Sequence, residues 1–327
     1  MRLRLSVVST LLLVLGLAPA APARSAAAQA APPSAQRAVL VTGASSGIGR
    51  TIAERLAKDG FYVYAGARQP DDIAALSAIP NMRGVRLDVT SNADLAAVVQ
   101  QIQRDGRGLY GLVNNAGIAT GGPLIATEDD ELRRVLDVNV MGPVRVTRAM
   151  APLLIAAKGR VVTISSISGI LSGAMLGVYS ISKHAVEAFG DALGAELAGL
   201  GVTSSLIEPG NYRSEIGRNT MSSAVAAAER AKGTPFEGAM QNFVRAMSSY
   251  DNYPAPDSVA AAAAHAFTAP QPRVRYMVVP AANQAAVTIR KAMDELVQLN
   301  HGHQFSYDRT ALIAMLDDAL ARVSQNR

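Results

Sequence analysis

Residues 38–49 read Ala-Val-Leu-Val-Thr-Gly-Ala-Ser-Ser-Gly-Ile-Gly, an apolar run that ends in a turn with glycines at 43, 47 and 49. No other feature restricts the fold as much. A run this short and this apolar predicts a strand from Arg37 to Thr42, and the turn then opens a helix from Gly47 to Asp59. Glycine permits tight backbone angles and lets an anion come close to the main chain. The start of the helix adds free N–H groups and the positive end of the helix dipole. The turn, with Ser45, Ser46 and Ile48 between and beside its glycines, can therefore hold the pyrophosphate of a dinucleotide. The other reading is an ordinary strand–helix turn, because the spacing is not the commoner G-x-G-x-x-G.

The same alternation continues along the chain. Strands are expected at Phe61–Gly66, Met82–Asp88, Leu109–Asn114, Arg160–Ser165, Val202–Glu208 and Arg273–Val279. Helices are expected at Asn92–Arg104, capped by Asn92, then across Thr127–Ala157 and Val178–Leu200, with a loop carrying Pro70 and Pro80 before the third strand. Apolar strands alternating with helices predict an α/β fold: a doubly wound, Rossmann-like parallel sheet of about seven strands, with helices on both faces. Ligands of such sheets bind beyond the carboxyl ends of the strands. Gly43, Asn114, Ser165, Ser166 and Pro209 all fall at those ends.

Tyr179 and Lys183 are four residues apart on a predicted helix and share a face, and Ser166 lies at the end of the preceding strand. A nearby ammonium, together with a positive nicotinamide ring, should favour phenolate and lower the tyrosine from its ordinary value near 10. Ser166 can hydrogen-bond a substrate oxygen, and Asn139 can hold a water that links Lys183 to solvent. Taken together, Asn139, Ser166, Tyr179 and Lys183 form a set able to move a proton to or from an alcohol oxygen. Just past the second strand, Ala67 and Arg68 offer no carboxylate for ribose hydroxyls; Arg68 can pair instead with a 2′-phosphate, and Ser46 can add a hydroxyl. NADP (NADPH) is therefore expected over NAD. Asp88 is expected either to accept from the adenine amine or to cap a helix.

The chain of 327 residues has no cysteine, which removes disulfides, thiol catalysis and Cys-ligated zinc. Its four histidines, 184, 265, 301 and 303, lack the company of metal ligands, and no metal is expected. The net charge of +5 is scattered, so no nucleic-acid partner is expected. Residues 1–30 have the basic, apolar and small-residue parts of a signal peptide, with an uncleaved membrane anchor or a mis-assigned start as alternatives. Export or membrane association follows from the first two and a cytoplasmic location from the last. Residues 31–36 are expected as linker, 37–280 as the cofactor-binding domain, 211–251 as its lid and 281–327 as a helical extension.

These residues resemble the short-chain dehydrogenase/reductase family. The elements run in order: Thr42-Gly43-x-x-x-Gly47-x-Gly49, Asp88, Asn114-Asn115-Ala116-Gly117, Asn139, Ser166, Tyr179-x-x-x-Lys183 and Pro209-Gly210. The resemblance implies one nicotinamide cofactor, the catalytic tetrad Asn139, Ser166, Tyr179 and Lys183, and a second role for Lys183 on the nicotinamide ribose. It makes Asn114–Gly117 a sheet-stabilising motif beside the cofactor, with Asn115 among the contacts. It makes Pro209, Gly210 and Ser214 cofactor contacts, Ser214 standing where a threonine is common and offering its hydroxyl to the carboxamide. Residues 179–197 and Glu208-Pro209-Gly210 are similar to 17β-hydroxysteroid and retinol dehydrogenases. A homodimer or homotetramer is implied, joined through the helices near Thr127–Ala157 and Val178–Leu200, which otherwise only cover the sheet. Hydride transfer between an apolar secondary alcohol and its ketone, or an aldehyde, is the activity expected. A non-catalytic dinucleotide-binding sensor or scaffold is the alternative on the same fold. The lid's apolar residues Ile216, Met221, Val225, Phe236, Met240, Phe243, Val244 and Met247 are expected either to wall the substrate site or to pack the lid.

Overall fold

A computed structural model describes residues 36–325; the expected leader and most of the linker lie outside them. Seven parallel strands make one sheet in the order β3-β2-β1-β4-β5-β6-β7. The first half comprises β1 (Ala38–Val41), α1 (Gly47–Lys58), β2 (Tyr62–Ala67), α2 (Pro70–Ser77), β3 (Met82–Arg86), α3 (Asn92–Asp105) and β4 (Gly111–Asn114). Next come α4 (Asp129–Leu136), α5 (Gly142–Ala156), β5 (Arg160–Ile164), α6 (Gly177–Ala198) and β6 (Thr203–Pro209). The chain continues through α7 (Glu215–Arg230), α8 (Glu237–Met247), α9 (Asp257–Thr268), β7 (Arg275–Val278), α10 (Ala282–Asn300) and α11 (Arg309–Gln325). This is the doubly wound α/β fold expected from the alternation.

The strands are apolar on both sides because both sides are covered. Along β1, Val39 and Val41 join a core with Ile52 and Leu56 of α1 and Val259 and Phe267 of α9. Ala38 and Leu40 point the other way, to Ile102 of α3 and Met150 and Leu154 of α5. That period of two is the geometry of a strand. Each buried Val or Leu side chain stabilises the sheet by roughly 1.5–3 kcal/mol. Sequence order reverses between β1 and β4, which pair directly through Val39 with Gly111 and Val41 with Val113. The crevice above such a switch point is where this architecture places a ligand.

Several local expectations need correction. The segment carrying Pro70 is a helix rather than a loop. Pro70 occupies its first turn, where a missing N–H costs nothing. The cap of α3 is Ser91, not Asn92: its hydroxyl accepts from the Asp94 N–H. Thr127–Ala157 is not one helix. A π turn at Asp137–Met141 separates α4 from α5 and carries the buried Asn139. The segment 211–251, expected as a lid, holds α7 and α8, which share a small core.

Candidate active site

One cleft of about 960 Å³ opens above the carboxyl ends of the strands. Its wall includes Gly43, Ser45, Ser46, Gly47, Ile48, Gly49, Arg68, Asp88, Asn115, Ser166, Tyr179, Lys183, Pro209, Gly210 and Ser214. Residues far apart in sequence thus meet where the topology directs them. Asn139 does not reach the wall.

The glycine turn is rigidly backed. Gly43 and Gly47 have φ of +64° and +53°, in the left-handed region that favours glycine. A Cβ on Gly43 would lie 2.9 Å from the Ala116 Cα. The Thr42 hydroxyl receives the N–H groups of Asn115 (2.9 Å) and Ala116 (3.0 Å), tying the turn after β1 to the end of β4. The Asn115 amide donates to the carbonyls of Thr42 and Gly43, and the Asn114 amide donates to Thr147 on α5. Ser46 is the N-cap residue of α1, yet its side chain makes no capping bond, which leaves the hydroxyl available to a ligand. A cradle of main-chain N–H groups from which side chains are excluded fits a dinucleotide pyrophosphate.

Arg68 is exposed at the far end of the cleft and lies close enough to Asp88 to act on its charge. Burial tends to raise the Asp88 carboxyl. The N–H and hydroxyl of Thr90 outweigh it, with Arg68 and Arg86 adding to them, and hold the group below its ordinary value. Asp88 lines the cleft, and one of its oxygens accepts from both Thr90 groups.

Tyr179 and Lys183 stand one turn apart on α6. The Lys183 Nζ is 5.6 Å from the centre of the Tyr179 ring and donates to the Ile164 carbonyl at 2.9 Å. Burial pushes the phenol up to about 12, with the Ser166 hydroxyl partly opposing it by hydrogen bond. Burial also pushes the lysine down to about 8, against the charge of Glu187. The expected lowering of Tyr179 is thus not produced by the protein alone, because desolvation outweighs the hydrogen bond from Ser166. Asn139 is fully engaged as a donor. Its amide gives one hydrogen to Ile118 O and one to Ser182 Oγ, and its oxygen accepts from Ile118 N. It clamps the loop after β4 to α6 and has no N–H left for a water.

The apolar residues expected of the segment 211–251 divide. Ile216 and Met247 face the cleft. Met240 is buried between α7 and α8, with Phe236, Phe243 and Val244 packed around it, and Val225 is exposed. Sequence reasoning missed Gln284. From the start of α10 its side-chain oxygen accepts from Asn211 N at 2.9 Å, and it leaves no room for a side chain on Gly210. Its only signal was position after the last strand. Tyr250 was missed as well; its hydroxyl bridges the N–H and carbonyl of Ser214, fixing the start of α7 against the glycine turn.

Residues 37–224 match the family described as short chain dehydrogenase. The chain belongs to this family. It is 37% identical over 254 residues to the NADPH-dependent 3-dehydrocapnine reductase of Ornithobacterium rhinotracheale, covering 75% of this chain and 88% of that protein. It is 41% identical over 190 residues to the mitochondrial D-beta-hydroxybutyrate dehydrogenase of Bos taurus, spanning 55% of each chain. Among solved structures, a short-chain dehydrogenase from Streptomyces avermitilis superposes with a TM-score of 0.69 at 28% identity, over 81% of this chain and 95% of that one. The chain is thus a member of an oxidoreductase family, and the resemblance drawn from its motifs holds.

Proposed function

We propose that this short-chain dehydrogenase is an NADP-dependent enzyme that interconverts an apolar secondary alcohol and its ketone, or acts on an aldehyde. The observation that carries this reading is the convergence of Tyr179, Ser166 and Lys183 on the same cleft as the glycine turn. A bound nicotinamide cofactor would supply or accept the hydride. The chain's residues would do the rest. Ser166, within reach of the phenol, would hold the substrate oxygen. Tyr179 would give that oxygen its proton during reduction and take it back during oxidation. A phenol kept neutral by burial suits the donor role. Lys183 would hold the ribose and stabilise phenolate when it forms.

Arg68 supports NADP, since a guanidinium beside the expected adenosine position suits a 2′-phosphate better than a ribose diol. Leu171, Leu176, Ile216, Met247 and Tyr253 give the substrate end an apolar wall. None of the cleft-lining residues between 211 and 251 is a lysine or arginine, so the lid segment presents no clamp for an anionic substrate. Association as a homodimer or homotetramer would cover Met141 and Ile181, both exposed on the helices that the resemblance assigns to the interface. The deciding experiment is turnover of NADPH and NADH against a panel of ketones, aldehydes and alcohols. Apolar ketones with NADPH should lead. Faster turnover of small phosphorylated carbonyl compounds, or equal rates with NADH, would refute the substrate or cofactor assignment respectively.

A further inference from the structure

Arg275, on β7, is shared by three carboxylates. Its Nη2 donates to both oxygens of Asp191 at 2.7 Å. Its Nε lies 3.2 Å from Glu187 Oε2 and also 3.2 Å from Glu208 Oε1. One N–H cannot satisfy two carboxylates. The Oε1 atoms of Glu187 and Glu208 are both buried and without a hydrogen-bond partner among the described residues. Three carboxylates would then share one guanidinium, with Lys183 as the other cation beside Glu187, and Glu208 is only 3% exposed. Buried acceptors without donors are costly, and like charges at close range add to that cost. A proton on Glu208 relieves both costs, because the Glu187 side chain lies within hydrogen-bond reach of it.

We propose that Glu208 keeps its proton near neutral pH and shares it with Glu187 through a hydrogen bond, and that Glu208 acts through Glu187 as a positioning residue for the charge of Lys183. Glu187 is one turn from Lys183 on α6, and its negative charge supports the lysine's ammonium form against burial. Glu208 is followed by Pro209, whose carbonyl accepts from the Ser166 hydroxyl at 3.5 Å. The groups facing the pair are Arg275 from β7 and Asp191 and Lys183 from α6. From the turn after β5, Gly169 and Ser165 lie beside Glu187, and neither is ionisable. Burial, followed by repulsion from Glu187, lifts the Glu208 carboxyl to about 7, with Arg275 opposing. The coupling to Lys183 rests on the dehydrogenase reading; the shared proton does not.

Glu208→Gln keeps the shape and removes the titration. An acid raised in the folded state destabilises that state as pH rises from its unfolded value, here 4.5, through its folded value of about 7. In cofactor-free protein, the melting temperatures of the unmodified chain and Glu208→Gln should therefore converge near pH 5, and the variant should gain steadily on the parent up to pH 8. Parallel curves would overturn the shared proton. If the variant does not fold, infrared spectroscopy of the unmodified protein decides. A protonated buried carboxyl band should be present near pH 6 and gone by pH 9, and its absence at both would overturn the proposal. In the active enzyme, Glu208→Gln should move the alkaline limb of the turnover profile down by about half a unit while keeping the plateau; an unmoved limb would overturn the link to Lys183. Absence of turnover with every carbonyl compound would instead refute the enzyme reading, leaving the thermal and infrared results to judge the proton.

Discussion

Asn115 occupies the space that a side chain on Gly49 would need: a Cβ there would lie 2.3 Å from the Asn115 Nδ2. The Gly43 carbonyl would be closer still, at 2.2 Å. Both neighbours are held, since the Asn115 amide donates to that same carbonyl at 3.1 Å. Neither can yield without opening the turn. Gly49→Ala should therefore cost about 1–3 kcal/mol of stability by overpacking and weaken dinucleotide binding as the turn shifts. Denaturant unfolding and cofactor titration check the two effects. A variant with unchanged midpoint and affinity would show that the turn is not the rigid cradle described.

The proton-transfer role of Tyr179 has a simple test. Tyr179→Phe keeps the ring packed beside Lys183 and removes the hydroxyl. General acid–base catalysis is typically worth ~10²–10⁴-fold, and turnover should fall by about that amount with cofactor affinity retained. Near-normal turnover would place the acid elsewhere.

Arg68 is exposed, so its substitution should leave the fold intact. A hydrogen bond to a charged group contributes roughly 1.5–3 kcal/mol, equivalent to about ten- to a hundredfold in affinity. Arg68→Ala should lose that much affinity for NADPH and almost none for NADH, as read by fluorescence titration. Equal losses for the two cofactors would remove Arg68 from the 2′-phosphate.

The sheet and the cleft were legible in the sequence because both depend on local signals. Apolar strands, the glycine turn and Tyr179-x-x-x-Lys183 each declare themselves within a few residues. What remained hidden depends on distant partners. Nothing near Asn139 announces the π turn that points it at Ile118 and Ser182. Pro70 reads equally as loop or as first helical turn, and only the packing of Leu76 into the core decides. Arg275 meets Glu187 and Glu208 because β6 and β7 are paired, a register that no spacing reveals. Met240 and Phe243 read as substrate wall or as lid packing until α7 and α8 are seen to pack them against each other.

Lys183 exposes a conflict between function and stability. Its ammonium is buried, with the Ile164 carbonyl as its hydrogen-bond partner, and burial lowers it from 10.5 to about 8. A lysine depressed in the folded state means that the unfolded chain binds more protons between those two values. Stability therefore rises as pH rises through that window, and below pH 8 the buried charge costs on the order of 1–3 kcal/mol. Lys183→Met removes the charge and fills similar space. The variant should melt higher than the unmodified protein at pH 7, and the gain should shrink toward pH 10. Turnover should collapse in the same variant, because the ammonium that supports phenolate is gone. The loss of the bond to Ile164 opposes the gain; the way that bond weakens as the lysine loses its charge is already contained in the folded value of about 8, so the slope of the difference against pH is the cleaner measure. A difference that stays flat from pH 7 to pH 10 would mean that Lys183 is no more costly to charge in the fold than in water.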